Sequence, residues 1–451
     1  MEVRPLHTAM VSDQPSGQRS AAGGELAVIA SISGLYLLLP LWWWLGAEQF
    51  IWPIGWGLLA AMLALRKRIR VPLPATARWL LIFVLAQLAS GASIQEPARI
   101  ITFARTLSTY LAAFLIVVSL PNALATGRQL DGLLKVTVLL LAICSAVGLL
   151  GILGIWRPSF ISPVGGLLPT WVRDTTYGGV VVNRTIGRTA HFLGLTYFRV
   201  YTFFLFPNQY AVFVAIVLPL AFWMLRRAAS SRGRLFYLSV IAMGLVNLVC
   251  TTGRVPVIAF LFGGAYALLG PAVRRHLKLV MAAAALLLLV GAGVVLLSGA
   301  ARDSLSRAAE PLLYARGSGP VDDRMAVYGP TVRGILARPL FGWGTERDVP
   351  GAVYPAGSHS YYLGILYKHG IVGFLTWLGL AWTILREVRP RSAAESQAIT
   401  YLAVPRNWIL AELCLVFLTV VPDLDATAFA VLWLVLTLFM ASARINQDDA
   451  G

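Results

Sequence analysis

Charge is what this sequence has little of. Only 13% of its residues are Asp, Glu, Lys or Arg, against about a quarter in an ordinary soluble domain. Hydrophobic residues take 58% of the 451 positions. That balance excludes the two or three soluble domains the length would otherwise allow. Lysine is nearly absent: 4 Lys stand against 33 Arg in a chain of net charge +17. Cysteine is scarce too. Cys144, Cys250 and Cys414 each lie in or at the end of an apolar run, where a free thiol behaves as a small hydrophobe. There is no CxxC and no Cys/His ligand spacing, so neither disulfides nor a zinc site are expected. The first 24 residues are polar and lack the apolar core of a cleavable signal. They read as a disordered cytoplasmic tail, with the first apolar run as an uncleaved anchor and 446–451 as a second short tail.

What is abundant is long apolar sequence. Runs at 26–46, 49–65, 77–93, 100–120, 133–155, 203–225, 235–250, 255–270, 279–299, 361–385, 406–421 and 426–442 approach the roughly 20 residues that a membrane helix needs. The pair 235–250 and 255–270 also fits a re-entrant hairpin. The expected fold is therefore an all-α integral membrane protein of about twelve transmembrane helices, in a single polytopic domain over 25–445. Fourteen Trp and fifteen Tyr suit aromatic belts at two membrane surfaces.

Basic clusters in short loops mark the cytoplasmic side. Arg66, Lys67, Arg68 and Arg70 follow the second run, Arg226, Arg227, Arg232 and Arg234 the sixth, Arg274, Arg275 and Lys278 the eighth, and Arg386, Arg389 and Arg391 the tenth. All four fall on one side if both termini are cytoplasmic. Two long segments, about 156–201 and 300–360, then lie outside. They carry Arg157, Arg173, Arg184, Arg188, Arg199, Arg302, Arg307, Arg316, Arg324, Arg333, Arg338 and Arg347, no Lys, and fewer acidic residues. Solvated basic loops are the bland reading. The sharper one is a cleft for an anion, because the planar guanidinium binds phosphate oxygens two at a time. In the second segment a helix is expected near Met325–Leu336, ended by Pro339 and Gly342-Trp343-Gly344.

Three constellations could carry chemistry. In the first, Arg199 precedes Phe203 and a Pro207-Asn208 pair that enters an apolar run; an interfacial anchor would look similar. In the second, Thr251-Thr252-Gly253-Arg254 is a very short turn holding an Arg at membrane depth with no acidic neighbour in sequence, so a partner from elsewhere or an anionic ligand must supply the counter-charge. In the third, His359-Ser360 opens a run interrupted by Gly370 and Gly373. A histidine there can accept a proton from a substrate hydroxyl, although a lone loop histidine is usually only a polar surface residue.

Together these motifs resemble the O-antigen ligase and polymerase superfamily, whose members transfer lipid-linked glycans on the periplasmic or outer face. The resemblance spans about 199–380: Arg199, Phe203, Pro207 and Asn208; Thr251, Gly253 and Arg254; Arg324 on a loop helix; Pro339 to Gly344; then His359, Ser360, Gly370 and Gly373. It departs from the usual pattern at Ser360, where Asn is commoner, and at Lys368-His369, where an acidic stretch is commoner. The resemblance implies a multi-pass protein of the bacterial inner membrane acting on its outer face. It implies a donor glycan on a polyprenyl pyrophosphate, held by Arg199, Arg254 and Arg324. His359 would be the catalytic base that activates an acceptor hydroxyl on a glycan, lipid A core or other molecule, with inversion. Guanidinium groups would stabilise the departing pyrophosphate without metal or cofactor. The Asp322-Asp323 pair could hold a metal but is better placed to pair with Arg324 or Arg316.

A transporter or flippase of lipid-linked sugars is the rival. It fits less well, because Arg105 is the main charge noticed within the runs. A structural assembly protein is a weaker rival. Nucleic acid is a poor fit: the cytoplasmic basic clusters are short and serve topology and anionic headgroups. Polymerase and ligase remain equally compatible.

Overall fold

A computed structural model describes residues 16–66, 69, 72–92, 94–173, 176–192, 195–269, 319–358, 360–388, 402–419 and 426–448; the side chains of 16–26, 176, 177, 180, 191, 192, 195, 319–325, 415, 417–419 and 443–448 lie outside that description. The expected span at 279–299, Asp322-Asp323 as side chains, and His359 therefore fall outside it.

The chain runs α1 (Ser16–Leu37), α2 (Leu39–Leu45), α3 (Ile51–Leu65), α4 (Ala75–Gly91), α5 (Pro97–Ala123) and α6 (Gly127–Ile152). A mixed segment follows: β1 (Ser159–Ile161), α7 (Pro163–Leu167), α8 (Thr170–Arg173), α9 (Thr176–Val182), β2 (Asn183–Thr185), β3 (Gly187–Phe192) and β4 (Leu195–Val200). Then come α10 (Pro207–Arg227), α11 (Ser231–Cys250), α12 (Arg254–Leu268), α13 (Gly319–Ala337), α14 (Tyr361–Glu387), α15 (Ala403–Thr419) and α16 (Ala426–Asp448).

Among the described residues five helices, α5, α6, α10, α11 and α14, are long and apolar enough to cross a membrane. A sixth span results if Ala27–Leu37 and Leu39–Leu45, bent by 51°, are one broken helix. Four shorter apolar helices, α3, α4, α12 and Ala426–Ser442 of α16, add to the bundle. The molecule is thus mostly helical and apolar, as expected. α1 begins at Ser16, inside the stretch expected to be tail. The segment before α10 is not simply a loop, since two antiparallel ribbons, β1–β2 and β3–β4, punctuate it.

Local chemistry sets the helix ends. Thr126 and Gln129 form a reciprocal capping box at the start of α6. Pro97 and Pro207 open α5 and α10, where a missing N–H costs nothing. The Glu387 carboxylate accepts from Ala75 N–H and Thr76 N–H at 2.7 and 3.2 Å, placing negative charge on the N-terminus of α4.

The core lies around α10, 83% of whose apolar window is buried, and α16, which is buried on nearly every side from Ala426 to Ser442. A helix apolar all round belongs at the centre of a bundle. Small residues allow the close approaches. Gly263 and Gly264 of α12 lie against Trp408 of α15, whose indole donates to Phe260 O at 2.9 Å. The three cysteines are free thiols on α6, α11 and α15, Cys144 being buried.

Candidate functional site

The first two constellations, about fifty residues apart, meet in space. In β4 alternate residues face opposite ways. Phe198 and Val200 turn towards the bundle, where Phe198 lies over Gly151 of α6 and under the Arg157 guanidinium at 4.3 Å. Arg199 therefore points the other way. Its Nε donates to Thr251 O at 2.8 Å and its Nη2 to Asn208 Oδ1 at 3.3 Å. One guanidinium thus ties the ribbon to the start of α10 and to the α11–α12 turn.

The turn is built to stay in place. Thr251 Oγ1 donates to Leu248 O at 2.7 Å and accepts from Gly253 N–H at 3.2 Å. Tyr197, on the same face of β4 as Arg199, donates its hydroxyl to Thr252 Oγ1 at 3.0 Å. Gly253 is pressed against α10, with a Cβ there meeting Ala211 at 3.2 Å and Asn208 Oδ1 at 3.5 Å. Arg254 follows as the exposed first residue of α12. Thr252 and Thr202 both have positive φ, 52° and 47°. A β-branched residue tolerates that region badly, and such strain persists only where the surroundings over-determine it. Here the two strained residues flank the anchor points of Arg199.

Behind the turn, Asn247 holds α11 to its neighbours. Its Nδ2 donates to Ser145 O of α6 at 2.9 Å, and its Oδ1 accepts from the Tyr210 hydroxyl of α10 at 3.1 Å. Gly148 makes room, since a Cβ there would lie 1.8 Å from Asn247 Oδ1.

The third constellation forms a second unit. The Pro339–Gly344 turn packs on a break in α14 at Gly370 (φ 63°, ψ −166°). Four backbone bonds join them: Trp343 N–H to Tyr367 O at 2.9 Å, Gly344 N–H to Lys368 O at 2.7 Å, Ile371 N–H to Pro339 O at 2.8 Å and Val372 N–H to Leu340 O at 3.2 Å. The break frees donors and acceptors that a regular helix would use internally, and the Gly-rich turn takes them up. Arg99 at the start of α5 donates to Trp343 O at 2.7 Å and Thr345 Oγ1 at 2.9 Å. Arg338 and Arg347 lie 4.1 and 4.4 Å from the Trp343 ring, in cation–π range.

His359 lies outside the described residues, but the chain on each side of it is anchored. Gly357 N–H donates to Thr331 Oγ1 of α13 at 2.9 Å, and Ser360 caps α14 by accepting from Leu363 N–H at 3.4 Å. Arg324 lies on α13, which covers the helical stretch expected around Met325–Leu336; its side chain is outside the description. The neighbouring His369, an apparent departure from pattern, is buried, with Nδ1 2.9 Å from Ser90 Oγ.

Among the described residues, the sequence reading did not single out the buried Glu48–Arg184 pair or the buried Arg406 and Glu412 of α15. Glu48, between α2 and α3, forms a 2.8 Å ion pair with Arg184 of β2, both side chains at most 1% exposed. Glu412 is buried midway along α15 beside Gly263. Glu412 was visible as a carboxylate inside an apolar run. The Glu48 partner was not, because 136 residues separate the two.

Comparison with known proteins adds one match. The model of the family described as O-antigen ligase matches residues 238–378. The stretch takes in the Thr251–Arg254 turn, Arg324, the Pro339–Gly344 turn, His359, Gly370 and Gly373, and bears out the resemblance read from those motifs. Arg199, Phe203, Pro207 and Asn208 lie before it. Among curated proteins none matches the chain.

Proposed function

We propose that this protein, a multi-pass membrane enzyme of the O-antigen ligase and polymerase type, transfers a glycan from a polyprenyl-pyrophosphate carrier to an acceptor hydroxyl on the outer face of the inner membrane. The observation that carries the reading is the Arg199 bridge, which brings an arginine, an asparagine and the Arg254 turn to one place.

In this reading Arg199, Arg254 and Arg324 bind the pyrophosphate. As the bond between the anomeric carbon and the phosphate oxygen breaks, its electron pair moves to that oxygen and the leaving group gains negative charge. Fixed guanidinium groups meet that charge better in the transition state than in the ground state. Arg199 is already fixed by Thr251 and Asn208, so little reorganisation is needed. His359 takes the proton of the acceptor hydroxyl as its oxygen attacks the opposite face, giving inversion. The chemistry needs neither metal nor cofactor. The acceptor is a glycan, lipid A core or another hydroxyl-bearing molecule, and polymerase and ligase share this chemistry.

The test is complementation of a deletion strain with wild type, His359→Ala and Arg254→Ala, each checked for membrane level. Wild type should restore surface glycan, and both variants should accumulate lipid-linked donor. Single repeats in that donor indicate a polymerase, finished chains a ligase. Wild-type behaviour of both variants would remove the proposed site. Transport of a lipid-linked sugar is the second reading, favoured by Glu412, since carboxylates within spans often serve coupling. Glu412→Gln in the same assay separates the two: transfer should survive it, and coupled transport should not.

A further inference from the structure

The register of the β3–β4 ribbon sets Arg188 directly opposite Arg199. Directly opposed residues share a face with Cβ atoms about 4.5–5.5 Å apart, and like charges so placed are destabilising. The local sequence offers no relief. No Asp or Glu occurs between Asp174 and Asp303, so the ribbon, the start of α10 and the α11–α12 turn contribute no carboxylate of their own. The facing of the pair is fixed as well, because the alternate residues Phe198 and Val200 are committed to packing. Arg199 is anchored, whereas Arg188 is exposed beside it. The field of Arg188 reaches Tyr201, two residues after Arg199. Burial raises the Tyr201 phenol above its ordinary value, and a hydrogen bond with Thr185 and the Arg188 charge pull against that rise.

We propose that Arg188 and Arg199 form a paired phosphate clamp, Arg188 being a further binding residue for the diphosphate of the lipid-linked donor. The proposal rests on the glycan-transfer reading and adds a residue to it. Two guanidinium groups side by side on one rigid ribbon match two adjacent phosphates, each fork taking two oxygens. A single headgroup phosphate would use only one of them. The anion converts the repulsion between the arginines into binding, so the ribbon keeps a juxtaposition that it would otherwise lose stability by holding.

The test uses the full chain purified in detergent and in nanodiscs, titrated with inorganic pyrophosphate, farnesyl pyrophosphate and orthophosphate. The variants are Arg188→Ala, Arg188→Gln, Arg188→Lys, Arg199→Ala and Arg254→Ala, with thermal unfolding as a control. Arg188→Ala and Arg188→Gln should each weaken both diphosphates roughly tenfold, orthophosphate less, and equally in neutral and anionic nanodiscs. Arg188→Lys should fall between them and wild type. Wild-type diphosphate affinity in the folded Arg188→Gln protein, while Arg199→Ala and Arg254→Ala lose binding, overturns the clamp and leaves the glycan-transfer reading intact. An effect confined to anionic nanodiscs also overturns it, assigning Arg188 to headgroups. Unchanged diphosphate binding in all five variants overturns both.

Discussion

Gly370 carries a backbone conformation that no other residue adopts without strain. Its φ of 63° and ψ of −166° belong to a region open essentially to glycine. Space forbids a side chain as well, since a Cβ would lie 2.2 Å from Leu340 O. Gly370→Ala should therefore cost at least about 2 kcal/mol, read as a lowered unfolding midpoint in detergent. Ala at Gly329, which has open space around it, is the control and should change little. Equal effects at the two positions would show that the break in α14 is not what holds the Gly-rich turn. At this scale much was legible. Gly370, Gly373 and the Gly342-Trp343-Gly344 turn stood out as glycines inside and beside an apolar run. Their mutual contact was not legible, because backbone bonding across a helix break leaves no mark on side-chain pattern. His369 shows the converse: it looked like a departure near the site, and its bond to Ser90 makes it part of the packing between α4 and α14.

Elements were legible in proportion to their length. The apolar helices announced themselves by composition, and α13 by its Pro and Gly boundary. The two ribbons did not: 195–200 reads Leu-Thr-Tyr-Phe-Arg-Val, rich in β-branched and aromatic residues but without clean polar/apolar alternation, a short strand signal that a search for spans passes over. Their attachment has an energetic consequence. The Arg184–Glu48 pair fastens β2 to the α2–α3 corner, and that corner meets the start of α16, where Trp52 Nε1 donates to Thr427 Oγ1 at 3.3 Å. Removing one partner of a buried pair leaves the other charged and costs ~3–5 kcal/mol, whereas replacing both with apolar groups is often neutral. Arg184→Met alone should lower the thermal midpoint sharply, and Glu48→Leu with Arg184→Met should recover most of the loss. A double variant as unstable as the single one would mean that the ribbon is held by packing, chiefly the Trp43 contact with Phe160, and not by charge.

For the whole molecule, sidedness ties the chemistry to biology, and it rests on few charges. α10 ends in Arg226 and Arg227, and α14 has Arg386 in its last turn. The ends opposite to these are where Arg199 meets Asn208 and where Ser360 caps α14. Both proposed site units thus lie at helix ends opposite basic clusters. The positive-inside rule then predicts that both face one side of the membrane, the outer one. For this only α10 and α14 need run inward, whatever the count of the other expected spans. Reporter fusions would check it. Alkaline phosphatase, active only outside the cytoplasm, should be active when inserted after Ala352, between the Gly-rich turn and α14, and inactive after Ala229, between α10 and α11. A cytoplasmic reporter at the same positions should give the reverse. Activity on the same side at both positions would mean that α10 and α14 are oppositely oriented. The arginine turn and the histidine segment would then face different compartments, and no single glycan transfer could use both.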